Sequence, residues 1–213
     1  MEVHAHSHTS RKKWTHYFWE FIMLFLAVFC GFLAEYQLEH KIEKDREKQY
    51  MRSLVHDLKT DTAFINELNA FRQETLQFSD TLAALLSDGS YLNNGYSVYS
   101  IVPFTSRRRF FYSADGTLQQ LKFSGALRLV SNQQVADSIK SYDVFYRNIL
   151  QLQDLEETQL QHYRELVSKV FNANVIKASI ESDEKTKNSL KAANPQLLQK
   201  DPVLLNELVY MIG

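Results

Sequence analysis

Residues Tyr17–Ala34 read YFWEFIMLFLAVFCGFLA, and this stretch decides how the rest of the chain is arranged. It holds one charge, Glu20, and no helix breaker except Gly31. As a helix rising ~1.5 Å per residue its eighteen residues cover roughly 27 Å, close to the ~30 Å hydrocarbon core of a bilayer. Trp14, Tyr17 and Trp19 mark one end and Tyr36 the other, at the depths where interfacial aromatics collect. Arg11, Lys12 and Lys13 stand just outside. The pattern predicts a membrane-spanning helix over residues 14–36, with residues 1–13 as a short cytoplasmic tail.

Two other readings compete. A core helix of a soluble domain has a similar apolar run, but no use for an aromatic belt and a basic collar. A cleaved signal peptide shares the basic and apolar regions but needs a small-x-small cleavage site, and Phe32 stands two places before Ala34. Cys30 follows Phe29 where a lipobox has a small residue. Glu20 lies one turn inside the belt, so it reaches the interface at modest cost. Basic residues flank both ends, Lys41, Lys44, Arg46 and Lys48 on the far side, but there they alternate with acids. The uninterrupted Arg11–Lys13 cluster therefore places the tail inside and residues 37–213 outside. Within the span, Ala27, Gly31 and Ala34 form a small-residue face that permits close helix approach, and so homodimerisation.

Some 175 residues follow the span, enough for a domain with its own core. A net charge of −1 argues against a nucleic-acid partner. The only cysteine is Cys30, so the domain has neither disulfides nor thiolate chemistry. Three prolines and six glycines point to an all-α fold of long helices. Gln37–Gln49 is charged, of mixed sign, and reads as a solvated stalk. Met51, Leu54, Leu58, Ile65 and Leu68 then repeat at helical spacing until Asp88-Gly89, as one helix over about 37–87 or two broken near Asp80.

Tyr91–Tyr112 carries Asn93-Asn94-Gly95 and Pro103, which predicts a loop. Arg107, Arg108 and Arg109 beside Phe111 form a candidate anion patch, since guanidinium groups grip carboxylates and phosphates. The bland alternative is a solvated or headgroup-facing loop. Ser113 reads as an N-cap, Ser124-Gly125 as a break and Asn132 as the cap of a second long helix over about 133–173. Residues 174–194, rich in Lys, Ser, Asn and Asp, look like a connector with a weak helix. Asn194-Pro195 and Asp201-Pro202 each read as a cap followed by a first-turn proline. The closing VLLNELVYMIG, apolar to its end, is expected to be cut short or to pack on the domain.

Chemistry-bearing patterns are few. There is no Gly-x-Ser-x-Gly, phosphate-binding glycine loop or His-Glu-x-x-His. His4, His6 and His8 alternate in the tail, but His4 is one place late for an amino-terminal copper site, and a solvated tail is the plainer reading. Asp57 and Asp61 share a helix face; with Arg52 and Lys59 close by, they read as a solvated face rather than a cation site. No enzyme activity and no cofactor are expected.

RKKWTHYFWEFIMLFLAVFCGFLAEY, running into EHKIEKDREKQYMRSLVHDLKTD, together with LQQLKFSGALRLVSNQQVADSIKSYD at Leu118–Asp143, resembles an uncharacterised family of small single-span bacterial membrane proteins. The resemblance implies a helical extracytoplasmic domain, with no site residues to carry over. The expectation is a bundle-like helical domain anchored in the bacterial inner membrane and facing the periplasm. There it would bind an envelope protein or a second copy. The alternative is a sensory, ligand-binding domain with a pocket near Tyr96, Tyr99, Arg107–Arg109 and Phe111.

Overall fold

α1 runs without a break from Trp14 to Ser87, 74 residues and so about 110 Å at ~1.5 Å per residue. No proline interrupts it, and Gly31 sits in it without a bend-inducing neighbour. The apolar segment thus passes directly into the stalk, and no break occurs near Asp80. The helix ends where expected: Ser90 donates its N–H to Asp88 Oδ1 at 2.8 Å, and Gly89 takes φ 75°, which a side chain resists. In the computed structural model, residues 14–181 and 183–212 are described. The tail with His4, His6, His8 and Arg11–Lys13 lies outside them.

Beyond α1 the chain doubles back. A 3-10 turn (Ser90–Leu92) leads into α2 (Gly95–Thr105), an extended segment, α3 (Gly116–Phe123) and a second 3-10 turn (Ala126–Leu129). α4 (Gln133–Val170) then runs in the same direction as α1. The cross-links between them show this: Glu47 holds Ser131, Asp61 holds Tyr142, and Arg72 holds Glu156. Each pair is separated by 81 to 84 residues, a near-constant offset that only parallel alignment produces. α5 (Ala173–Glu181), α6 (Glu184–Ala193) and α7 (Pro202–Ile212) close the far end. No strand occurs among the described residues.

On α1 the buried positions Leu54, Asp61, Leu68, Thr75 and Leu82 fall at intervals of seven, one seam of the helix. Two apolar clusters flank this seam. The stalk-proximal one gathers Leu54, Leu118, Leu121, Ala126, Val130, Ala136 and Ile139. The distal one packs Leu82, Val98, Tyr99, Leu166, Phe171 and Leu208. The all-α expectation holds, and Asn132 caps α4 by accepting from the N–H groups of Gln134 and Val135.

Several local expectations are corrected. The predicted loop at 91–112 contains the helix α2 despite Pro103, because tertiary contacts replace what proline removes. The carbonyl of Tyr99, four residues before Pro103, accepts the Ser179 hydroxyl at 3.1 Å. α4 ends at Val170, short of the expected 173, and the connector 174–194, expected to hold one weak helix, holds most of α5 and all of α6. Asn194-Pro195 starts no helix: Asn194 takes φ 42° and ends α6. Asp201 does cap α7, accepting from the Val203 N–H at 2.9 Å. Ser113 caps nothing; its hydroxyl donates to Asp61.

Candidate functional site

The arginine run owes its position to clamps on either side. At the end of α2, Thr105 and Tyr163 hydroxyls meet at 2.5 Å, and the Ser106 carbonyl accepts from Arg164 Nη2 at 3.2 Å. At the other end, Gln153 of α4 grips the backbone of Phe111, accepting its N–H at 2.6 Å and donating to its carbonyl at 3.3 Å. The extended stretch between them carries Arg107, Arg108 and Arg109, all exposed.

Two of the three guanidinium groups lie on aromatic faces. Arg107 sits 4.1 Å above the Phe104 ring, and Arg109 lies 5.9 Å from Phe64 and 5.7 Å from Phe71. Stacking engages the flat face of a guanidinium and leaves its in-plane N–H edges available. Arg109 approaches Glu67 only to 4.0 Å, and among the described residues no ion pair engages Arg107 or Arg108. Arg72 of α1 enters the same space, held by Glu156 of α4 at 3.0 Å.

These side chains line a cleft of about 170 Å³ walled by Phe71, Leu76 and Ile212. It adjoins a second hollow of about 260 Å³ reaching Leu160, Tyr163 and Met211. Burial pushes the Tyr163 phenol up to about 12, so it faces this region as a neutral group. Counting Arg164 and its partner Glu157, five arginines meet three glutamates here, in a chain whose net charge is −1. The arrangement suits an oxyanion beside an apolar body.

The structure brings Arg107, Arg108 and Arg109 to one cleft but separates the other expected members. Phe111 is 4% exposed, stacked on Phe64 at 6.0 Å and edge-on to Tyr146 at 5.9 Å, so it anchors the segment rather than facing a ligand. Tyr99 lies fully buried against Phe171, and Tyr96 packs under Lys191. Arg72, Glu156 and Gln153 were missed, since nothing near them in sequence marks them.

The solvated-face reading of Asp57 and Asp61 is corrected. Asp61 is 4% exposed and accepts from the Ser113 hydroxyl at 2.5 Å, the Ala114 N–H at 2.7 Å and the Tyr142 hydroxyl. Asp57 accepts from the Thr117 N–H at 3.2 Å. One turn apart, the two carboxylates dock the start of α3 onto α1. Burial, then the bond to Asp61, pushes the Tyr142 phenol up to about 12.

On the apolar part of α1, Ala27, Gly31 and Ala34 are exposed, and a Cβ added at Gly31 would meet nothing within 4 Å. Phe21, Phe25 and Phe29 stack in succession at 6.3 and 5.9 Å. At ~100° per residue this ladder and the small-residue face point to opposite sides of the helix. Glu20 pairs with His16 at 3.1 Å. Among the described residues α1 is the one helix long and apolar enough to cross a membrane, and none of its apolar window is buried by the rest of the chain.

Comparison with protein-family models, with characterised proteins and with solved structures finds no match to this chain.

Proposed function

We propose that this is a single-pass protein of the bacterial inner membrane, anchored by residues 14–36, with its bundle-like helical domain in the periplasm. Its role is structural: it presents that domain to an envelope partner. One observation carries the reading. Fourteen large apolar or aromatic side chains between Trp14 and Tyr36 are exposed, Phe21 at 64% and Leu24 at 69% among them. At ~1.5 kcal/mol for each, leaving them in water forfeits on the order of 20 kcal/mol, more than a typical domain's whole stability. A bilayer removes that cost. The resemblance to small single-span bacterial proteins fits the same reading.

The domain's first holds on α1 are at Glu47 and Tyr50, so a bare stalk of about 16 Å at ~1.5 Å per residue lifts it clear of the bilayer. A second copy is the partner favoured within the membrane, because among the described residues nothing covers the Ala27, Gly31 and Ala34 face. No nucleic-acid partner and no catalytic role form part of this reading.

Carbonate extraction of cell membranes tests the anchor, and cysteine labelling tests the orientation. Cys30 lies within the proposed bilayer, so Ser87→Cys becomes the one accessible thiol. The chain should stay in the extracted membrane, and a membrane-impermeant maleimide should label Ser87→Cys in intact cells. Release by carbonate would overturn the anchor; labelling only after lysis would reverse the orientation. Gly31→Leu should abolish association in a two-span reporter assay, and undiminished association would remove the dimer.

A further inference from the structure

We propose that the cleft between α1, residues 107–109 and the end of α7 binds a small amphipathic oxyanion, a carboxylate or phosphate carried on an apolar body. The head would lie on the N–H edge of Arg107 and on what remains of the Arg108 edge, whose Nη1 donates to the Arg107 carbonyl at 3.0 Å. Phe104 holds the first by its face at 4.1 Å, and no described acid pairs with either. A stacked, pre-oriented guanidinium loses less freedom on gripping an oxyanion than a free one, and its fork matches carboxylate and phosphate geometry. Arg72 is already committed to Glu156 at 3.0 Å; that pair closes one wall and leaves the excess charge to the 107–109 run. The apolar body would lie over Leu76, Met211 and Ile212, which line the adjoining hollows.

The headgroups of the protein's own membrane are out of reach, a step that rests on the anchor proposed above. Phe71, at the cleft, stands 35 residues beyond Tyr36, about 50 Å along a helix rising ~1.5 Å per residue. The ligand is therefore soluble, or borne on another molecule.

Calorimetric titration of the full chain in nanodiscs of zwitterionic lipid tests this with phenyl phosphate as the probe. Saturable binding is expected, at least tenfold tighter than inorganic phosphate, with no binding of phenol. The double variant Arg107→Ala, Arg108→Ala should weaken it at least tenfold, while Arg52→Ala, on the exposed stalk-proximal face of α1, should leave it unchanged. Adding anionic phosphatidylglycerol to the nanodisc should not compete. Absence of saturable binding, equal binding of phosphate and phenyl phosphate, or indifference to the double variant would overturn the site. Competition by phosphatidylglycerol would overturn the soluble ligand in favour of headgroups. Because nanodisc incorporation is scored separately by co-purification, failure of the anchor is distinguishable from failure of the cleft.

Discussion

The Ser179 hydroxyl lies 3.1 Å from the carbonyl of Tyr99, the acceptor that Pro103 leaves without its helical N–H. It also lies 2.8 Å from the Ile176 carbonyl of its own helix, so its one proton is shared between the two. A residue of α5 thereby completes α2 across 80 positions of sequence. Removing that donor should cost about 1–3 kcal/mol, since the carbonyl is buried. In a Pro103→Ala background the new N–H can serve Tyr99, so Ser179→Ala should cost clearly less there. Urea unfolding of the four members of this cycle checks it; equal costs in both backgrounds would show that the two donors do not substitute for each other.

Gly95 should not tolerate a side chain. A Cβ there would lie 1.9 Å from the Pro195 carbonyl oxygen, and backbone cannot swing aside as a flexible side chain does. The same close approach carries the bond from the Gly95 N–H to Asn194 Oδ1 at 2.7 Å. Gly95→Ala should destabilise by about 1–3 kcal/mol or more, whereas an ordinary exposed glycine-to-alanine change in a helix stabilises. A neutral effect on thermal unfolding would contradict this packing.

Asp61 ties the start of α3 to the middle of α1 and α4. Asp61→Ala strands the Ser113 and Tyr142 hydroxyls and the Ala114 N–H, and should cost about 3 kcal/mol or more. Asp61→Asn keeps one acceptor oxygen and should cost less. Hydrogen exchange should report the loss at Ala114 first, and a loss spread evenly over the domain would count against a local clamp.

The stability of the domain should fall in alkali between about pH 10 and 12. Burial raises the Tyr163 phenol from its ordinary 10.0 to about 12, so above pH 10 the unfolded chain releases a proton that the native state retains. The contribution is complete below pH 10 and is lost as pH rises through 12. The full span is worth about 2–3 kcal/mol for this group, at ~1.4 kcal/mol per unit. Tyr142 acts with the same sign. Tyr163→Phe should flatten the fall measured by chemical unfolding at stepped pH; an unchanged slope would assign it to other groups.

Much of the helical outline was readable because its causes are local. The stop at Asp88-Gly89, the cap at Asn132 and the start at Asp201-Pro202 each act over two or three residues. Where local signals misled, a distant partner had outweighed them. Asn93-Asn94-Gly95 and Pro103 have turn chemistry, yet burial of Val98, Tyr99 and Val102 and the Ser179 hydroxyl hold that segment helical. The three consecutive arginines stood out in sequence. Their cleft did not, since Arg72 and Glu156 come from helices dozens of residues away.

The sequence by itself determined the helical class, the apolar length matched to a bilayer and most points where helices begin or stop. Such properties depend on neighbours within one turn and on side-chain transfer energies that need no partner. Only the tertiary structure decided that α1 and α4 run parallel, that Asp61 is a buried clamp rather than a solvated face, and that Phe111 supports the arginines instead of joining them. Those outcomes depend on which groups meet across 42 to 84 residues, where a carboxylate's place inside or outside is set by whether donors await it.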